Sequence, residues 1–123
     1  MGNVMTNILE EMAHAALARD ALKLRSLVQD IQRSNQPLSS LERPVTDHHD
    51  TLVVAAALVE LMASRRGVTA PAWTTGVGAM ETPFHLLIAA DRMPRLRAWC
   101  ETQSPGPLLR RKLFAPPDFL EEV

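Results

Sequence analysis

The sequence predicts an all-α fold: a single compact domain of about five or six short helices with Pro-rich junctions and an extended C-terminal tail. Three observations point there. Apolar residues recur at helical spacing through the first third of the chain, a long Ala-rich run in the middle lies between helix-start and helix-stop signals, and the nine Pro residues fall at joints between periodic stretches. A chain of 123 residues that is 46% apolar is long enough for one core. The organisation expected is one domain over 1–123, with a helical hairpin at 1–36, a linker at 37–46 and a helical core with its tail at 47–123.

The first helix is read from Asn7 to Ala18, where Ile8, Leu9, Met12, Ala15 and Ala16 share a face. Asn7 and Glu10 have the spacing of a capping box, which satisfies free backbone N–H groups. Asp20 caps a second helix whose stripe is Leu24, Leu27, Val28 and Ile31, with Lys23, Arg25, Asp30 and Arg33 toward water. The intervening Ala-Arg-Asp allows only a tight break, so the two form an αα-hairpin or one bent helix. Ser34 to Pro44, rich in Ser and Pro, is a connector.

Asp47 to Arg66 is the spine. Thr46 or Asp47 can cap it, Asp47 and Asp50 suit the positive end of its dipole, Arg65 and Arg66 the negative end, and Gly67 can take the left-handed conformation that stops it. Its centre, LVVAAALVELMA, is apolar on nearly every face, which implies burial on more than one side. Val68 to Thr82 follows as a long ordered loop or a short extended piece. Thr82 before Pro83 reads as a helix start, with a short helix over Phe84 to Ala90; Pro94 begins another that carries Leu96, Trp99 and Cys100 and ends before Pro105. A last turn runs from Pro107 to Leu113, and after Pro116 and Pro117 the chain must be extended or turned.

The net charge of -1 excludes a global basic field of the kind that holds nucleic acid non-specifically. The longest apolar run, Leu52 to Val59, falls far short of the ~20 residues that cross a bilayer, so no membrane partner is expected. One Cys fits a reducing compartment, and the chain reads as cytoplasmic. Gly2 and Thr6 are in register for myristoylation, but that pattern is short and its enzyme eukaryotic.

Chemistry-bearing residues are few. Asp47-His48-His49-Asp50 has the side chains of a metal site, yet neighbours on a helix point about 100° apart, so a solvated helix start is the better reading. His14 and His85 lie in apolar stretches and read as core-edge histidines, and Cys100 as a small buried hydrophobe. No catalytic constellation and no phosphate loop is visible, so neither an enzyme nor a cofactor is expected. What stands out is a local charge excess: Arg92, Arg95, Arg97, Arg110, Arg111 and Lys112 face one acid, Glu101, between positions 92 and 112. Such a cluster is either a solvated face or an anion-binding or partner-docking surface, since Arg forks hold carboxylate and phosphate by two points. Trp73, Phe84, Trp99, Phe114 and Phe119, all the aromatics present, are expected to fill the core rather than stack on bases. In the tail, Phe114 and Phe119 should reach apolar surface while Arg110, Arg111 and Lys112 stay hydrated.

APAWT at Ala70–Thr74, PFHLLIAADRMPRLRAWCE at Pro83–Glu101 and SPGPLLRRKLFAPPDFL at Ser104–Leu120 together resemble a family of small uncharacterised prokaryotic proteins. That family combines an Ala-rich helix, a Pro-Ala-Trp turn, a Met-Pro-Arg-Leu-Arg segment and an Arg-rich turn before an Ala-Pro-Pro-Asn-like terminus. The resemblance runs from Ala16 to Leu120; Lys112 replaces an Arg of the pattern and Asp118 an Asn. Its members resemble the antitoxin or regulator partners of nucleotidyltransferase-like toxins. It implies a non-catalytic interaction module whose partner-binding residues are Arg92, Arg95, Arg97, Arg110, Arg111, Lys112 and Phe119. The alternative is a small nucleic-acid-binding transcriptional regulator using the same cations, although the helix-turn-helix that precedes the module in some relatives is not matched by the two short N-terminal helices. Self-association is compatible with either.

The solvated helix-start reading of Asp47–Asp50 predicts that EDTA, or replacement of both His48 and His49 by Ala, leaves the melting temperature nearly unchanged. A fall of more than about 5 °C would restore the metal reading.

Overall fold

In a computed structural model, residues 7–121 are described; the Gly2–Thr6 pattern lies outside them. Five α-helices, α1 (Ile8–Leu17), α2 (Ala21–Ser34), α3 (His49–Arg66), α4 (Pro94–Gln103) and α5 (Gly106–Leu109), are joined by 3-10 turns at Leu38–Ser40, Ala72–Gly76 and Ile88–Asp91. Two short parallel strands, β1 (Phe84–His85) and β2 (Leu113–Phe114), pair Phe84 with Leu113 and His85 with Phe114. The fold is all-α.

Asn7 caps α1, its side chain accepting from the Leu9 and Glu10 amides at 2.8 and 3.2 Å. The break after α1 is made by Arg19, which adopts φ 57° while its amide and that of Asp20 bond back to the Ala16 and Ala15 carbonyls. Asp20 then accepts from Lys23 N and starts α2. The two helices pack against each other as a hairpin, and the four expected stripe residues, Leu24, Leu27, Val28 and Ile31, are all buried.

α3 packs along α1 and against α5, and every residue from Val53 to Ala63 is buried. Ala13, Ala15 and Ala16 on α1 and Ala55, Ala56 and Ala57 on α3 are small enough to let neighbouring backbones approach closely. Gly67 ends α3 at φ 66°, its amide reaching Ala63 and Ser64 while Val68 N bonds to Ala63 O, the pattern of a left-handed helix stop. At the other end neither expected cap operates as such: His48 is the N-cap position without a side-chain bond, and Thr46 Oγ1 instead accepts from His48 N at 3.1 Å. The connector is not a passive linker, for Leu38, Leu41 and Pro44 are buried and Leu41 O accepts from Trp73 Nε1 at 2.9 Å.

One local expectation fails. Phe84 to Ala90 is not a helix: Phe84 N bonds to Lys112 O at 3.0 Å and Leu86 N to Phe114 O at 2.9 Å, so the backbone donors a helix needs are taken by the C-terminal segment. Only Ile88–Asp91 turns, as a 3-10 helix. For the same reason α5 stops at Leu109, short of the expected Leu113, because residues 113 and 114 belong to the strand pair. Pro94 does open α4, and Ser104 closes it before Pro105. No helix among the described residues is long and apolar enough to cross a membrane.

Leu58 is fully buried at the centre of α3. Leu58→Asp should abolish cooperative unfolding, since an unpaired buried charge costs several kcal/mol against a total stability of ~5–15. A thermal melt matching the parent's would contradict the spine assignment.

Candidate functional site

The basic residues that are neighbours in composition are separated by the fold into three environments. The first is interior. Arg111 is 5% exposed, and its guanidinium donates to both carboxylate oxygens of Glu60 on α3, to the Thr74 carbonyl at 2.9 Å and to the Val77 carbonyl at 3.3 Å. Its Nε is buried without a partner. The expectation that Arg111 stays hydrated is therefore overturned: Glu60 stands on an otherwise buried helix, and only a buried cation can hold its charge there. Arg111 cannot be part of an exposed docking face.

Burial pushes the Glu60 carboxyl up, but hydrogen bonds from Arg111, Arg110 and Thr74, with the charge of Arg111, outweigh it and hold the group below the usual carboxylate range. Arg110 donates to Glu60 Oε1 at 2.9 Å while its side chain remains 61% exposed.

The second environment is a chain of ion pairs on the inner flank of α4. Arg97 Nε lies 3.3 Å from Glu101 Oε2, one helical turn on, and its Nη1 3.9 Å from Asp91, which also pairs with Arg19. Arg19 stacks over the Phe84 ring at 5.2 Å from the centroid. Glu101 in turn accepts from His85 Nε2 at 2.9 Å; His85 is buried, stands 5.0 Å from the Phe114 ring, and leaves Nδ1 without a partner. Cys100 is fully buried beside this network, and burial, then the Glu101 charge, pushes its thiol up. His14, by contrast, is exposed and not at the core edge.

The third environment is open. Arg92, Arg95 and Lys112 are exposed and have no ion-pair partner among the described residues. Of α4 only Cys100 is buried, with Leu96 half-buried one turn before it. Arg95 and Trp99 also lie one turn apart and so share a face, with Met93 just ahead of the helix. Trp99 is 45% and Met93 53% exposed, which corrects the expectation that every aromatic fills the core. Trp73, Phe84, Phe114 and Phe119 are half-buried; Phe119 packs against the core, and its carbonyl is held by Arg65 from the end of α3.

Asp47, His48, His49 and Asp50 are exposed around the start of α3, with His49 Nε2 donating to Ala79 O at 2.9 Å. No group of three or more His, Cys, Asp or Glu side chains among the described residues is placed to hold a metal ion. Sequence reasoning passed over Glu60, although a lone acid inside LVVAAALVELMA is a signal that a cation must come from elsewhere in the chain. Comparisons with protein families, with curated proteins and with solved structures found no match.

Removing one member of a buried pair strands the other, at a cost of about 3–5 kcal/mol. Arg111→Ala and Glu60→Ala should each lower stability by that amount in denaturant melts, while Glu60→Leu with Arg111→Met should recover much of it. Because the folded carboxyl is depressed, its contribution is full above the unfolded value of about 4.3 and is lost as the pH falls through the folded one. Stability should thus drop on acidification more steeply in the parent than in the Leu/Met variant; parent-like single variants would contradict the pairing.

Proposed function

We propose that the chain is a non-catalytic protein-interaction module, an antitoxin or accessory subunit that covers a nucleotidyltransferase-like partner, with α4 as the docking helix. The observation that carries this reading is the outer face of α4 with the residues just ahead of it: Arg92 and Arg95 have no ion-pair partner among the described residues, Met93 is exposed at the N-cap, and a half-exposed Trp99 lies one turn from Arg95 on a helix that buries one side chain. Arg and Trp are the residue types that dominate interface energetics, and an Arg-flanked aromatic on a near-neutral protein suits a partner surface that pairs an apolar pocket with an acidic rim. Arg97, already engaged by Asp91 and Glu101, positions the helix in this reading, and Arg110 and Lys112 remain as outlying cations. The identity of the partner rests on the sequence resemblance alone.

A nucleic-acid reading is favoured by one feature, the exposure of Trp99 one turn from Arg95, because an aromatic face beside an Arg can stack on a base. The charge of -1 weighs against it.

The test is co-purification of the tagged chain with the product of an adjacent nucleotidyltransferase-like gene, the parent beside an Arg92→Glu/Arg95→Glu variant. The variant should melt like the parent, since exposed substitutions rarely exceed ~0.5 kcal/mol, and should lose more than about tenfold in capture. Equal capture, or the absence of such a gene, would overturn the reading; salt-sensitive binding of a labelled oligonucleotide lost in the same variant would transfer it to nucleic acid.

A further inference from the structure

A cleft of about 360 Å³ opens beside the buried ion pair, lined by Arg110, Arg111 and Glu60 with Thr75, Val77, Gly78 and Ala79. Its charged walls are two guanidinia and one carboxylate, with no other ionisable side chain, so it carries one uncompensated positive charge. Glu60 is engaged at both oxygens: its carboxylate accepts from Arg110 and twice from Arg111. Arg110 is less fully engaged, for it places one donor on Glu60 and keeps a mostly exposed fork, while Arg111, more than nine-tenths buried, retains an Nε–H with no acceptor. Gly78 lines the cleft, and a Cβ built on it would meet nothing within 4 Å.

We infer that this cleft is a carboxylate-binding site, in which one incoming carboxylate takes the free edge of the Arg110 fork and completes a quartet of two guanidinia and two carboxylates. A carboxylate matches the site because its two oxygens can meet the free edge of the planar Arg110 fork and its single charge neutralises the cleft. The carboxylate comes from a small organic acid or from an Asp or Glu side chain of a bound protein; the recognition chemistry is the same. The inference goes beyond the α4 reading and does not depend on it, since its probes are small molecules and its readout lies at Gly78 and Ala79.

The experiment is a chemical-shift titration of the full-length chain with sodium acetate and, separately, with N-acetylglutamate N-methylamide, with sodium chloride as the ionic-strength control. Both carboxylates should move the Gly78 and Ala79 amide resonances saturably. The apparent affinity should fall by more than about tenfold in Arg110→Gln, which leaves the Arg111–Glu60 pair in place. Movement with the glutamate derivative alone would assign the carboxylate to a protein side chain, and movement with acetate alone to a small acid. No saturable movement with either probe, movement that chloride reproduces, or movement unchanged in Arg110→Gln would overturn the inference.

Discussion

The pairing of Glu60 with Arg111 is the interaction on which the second half of the structure depends. A carboxylate in the middle of the most buried helix would be untenable alone, and its partner arrives from a position 51 residues further along the chain. The same guanidinium also gathers the Thr74 and Val77 carbonyls, and the Arg111 carbonyl accepts from Met80 N at 2.9 Å. One residue therefore fastens three segments, α3, the 3-10 turn after Pro71 and the start of the strand region, of which α3 is also held by packing against other helices. A buried ion pair is a weak source of net stability but a strict one of geometry, because alternative packings would leave a charge stranded.

With Arg111 fixed, the C-terminal segment is committed. Lys112 takes φ 63°, β2 lies against β1, and Ser104 Oγ accepts from Ala115 N at 2.9 Å. Pro116 and Pro117 turn the chain so that Arg65 can hold the Pro117 and Phe119 carbonyls. What this arrangement leaves outside is α4. It is tied down by Cys100, by the Glu101–His85 bond and by the Arg97–Asp91–Arg19 pairs, all on one side. The opposite side, with Arg95 and Trp99, is thereby presented to solvent by a helix whose placement is well determined.

The helices with strong local signals were legible. Asn7, Asp20, Gly67 and Pro94 each mark the boundary they were assigned, because caps and stops act over four or five residues and need no distant partner. Phe84 to Ala90 was misread because a Thr-Pro start signal is local while the 112–114 segment that captures its amides is not. The basic cluster failed in the same way. Arg110, Arg111 and Lys112 are consecutive and chemically alike, yet one is buried, one straddles Glu60 and one is free, a division set by how α5 meets α3. Nothing adjacent to them in sequence distinguishes the three; the informative residue was the distant Glu60. Trp99 was likewise assigned to the core on residue type, whereas its register on α4 places it a turn from Arg95 and away from Cys100.

Native-state hydrogen exchange in Glu60→Gln tests the keystone role of the ion pair most directly. The account predicts that the amides of Val77, Met80, Phe84 and Leu86, all bonded within or onto the Arg111 region, lose protection together, while those in the centre of α3 and in α1 keep theirs. Equal loss of protection throughout the chain, or retention at those four amides, would contradict it.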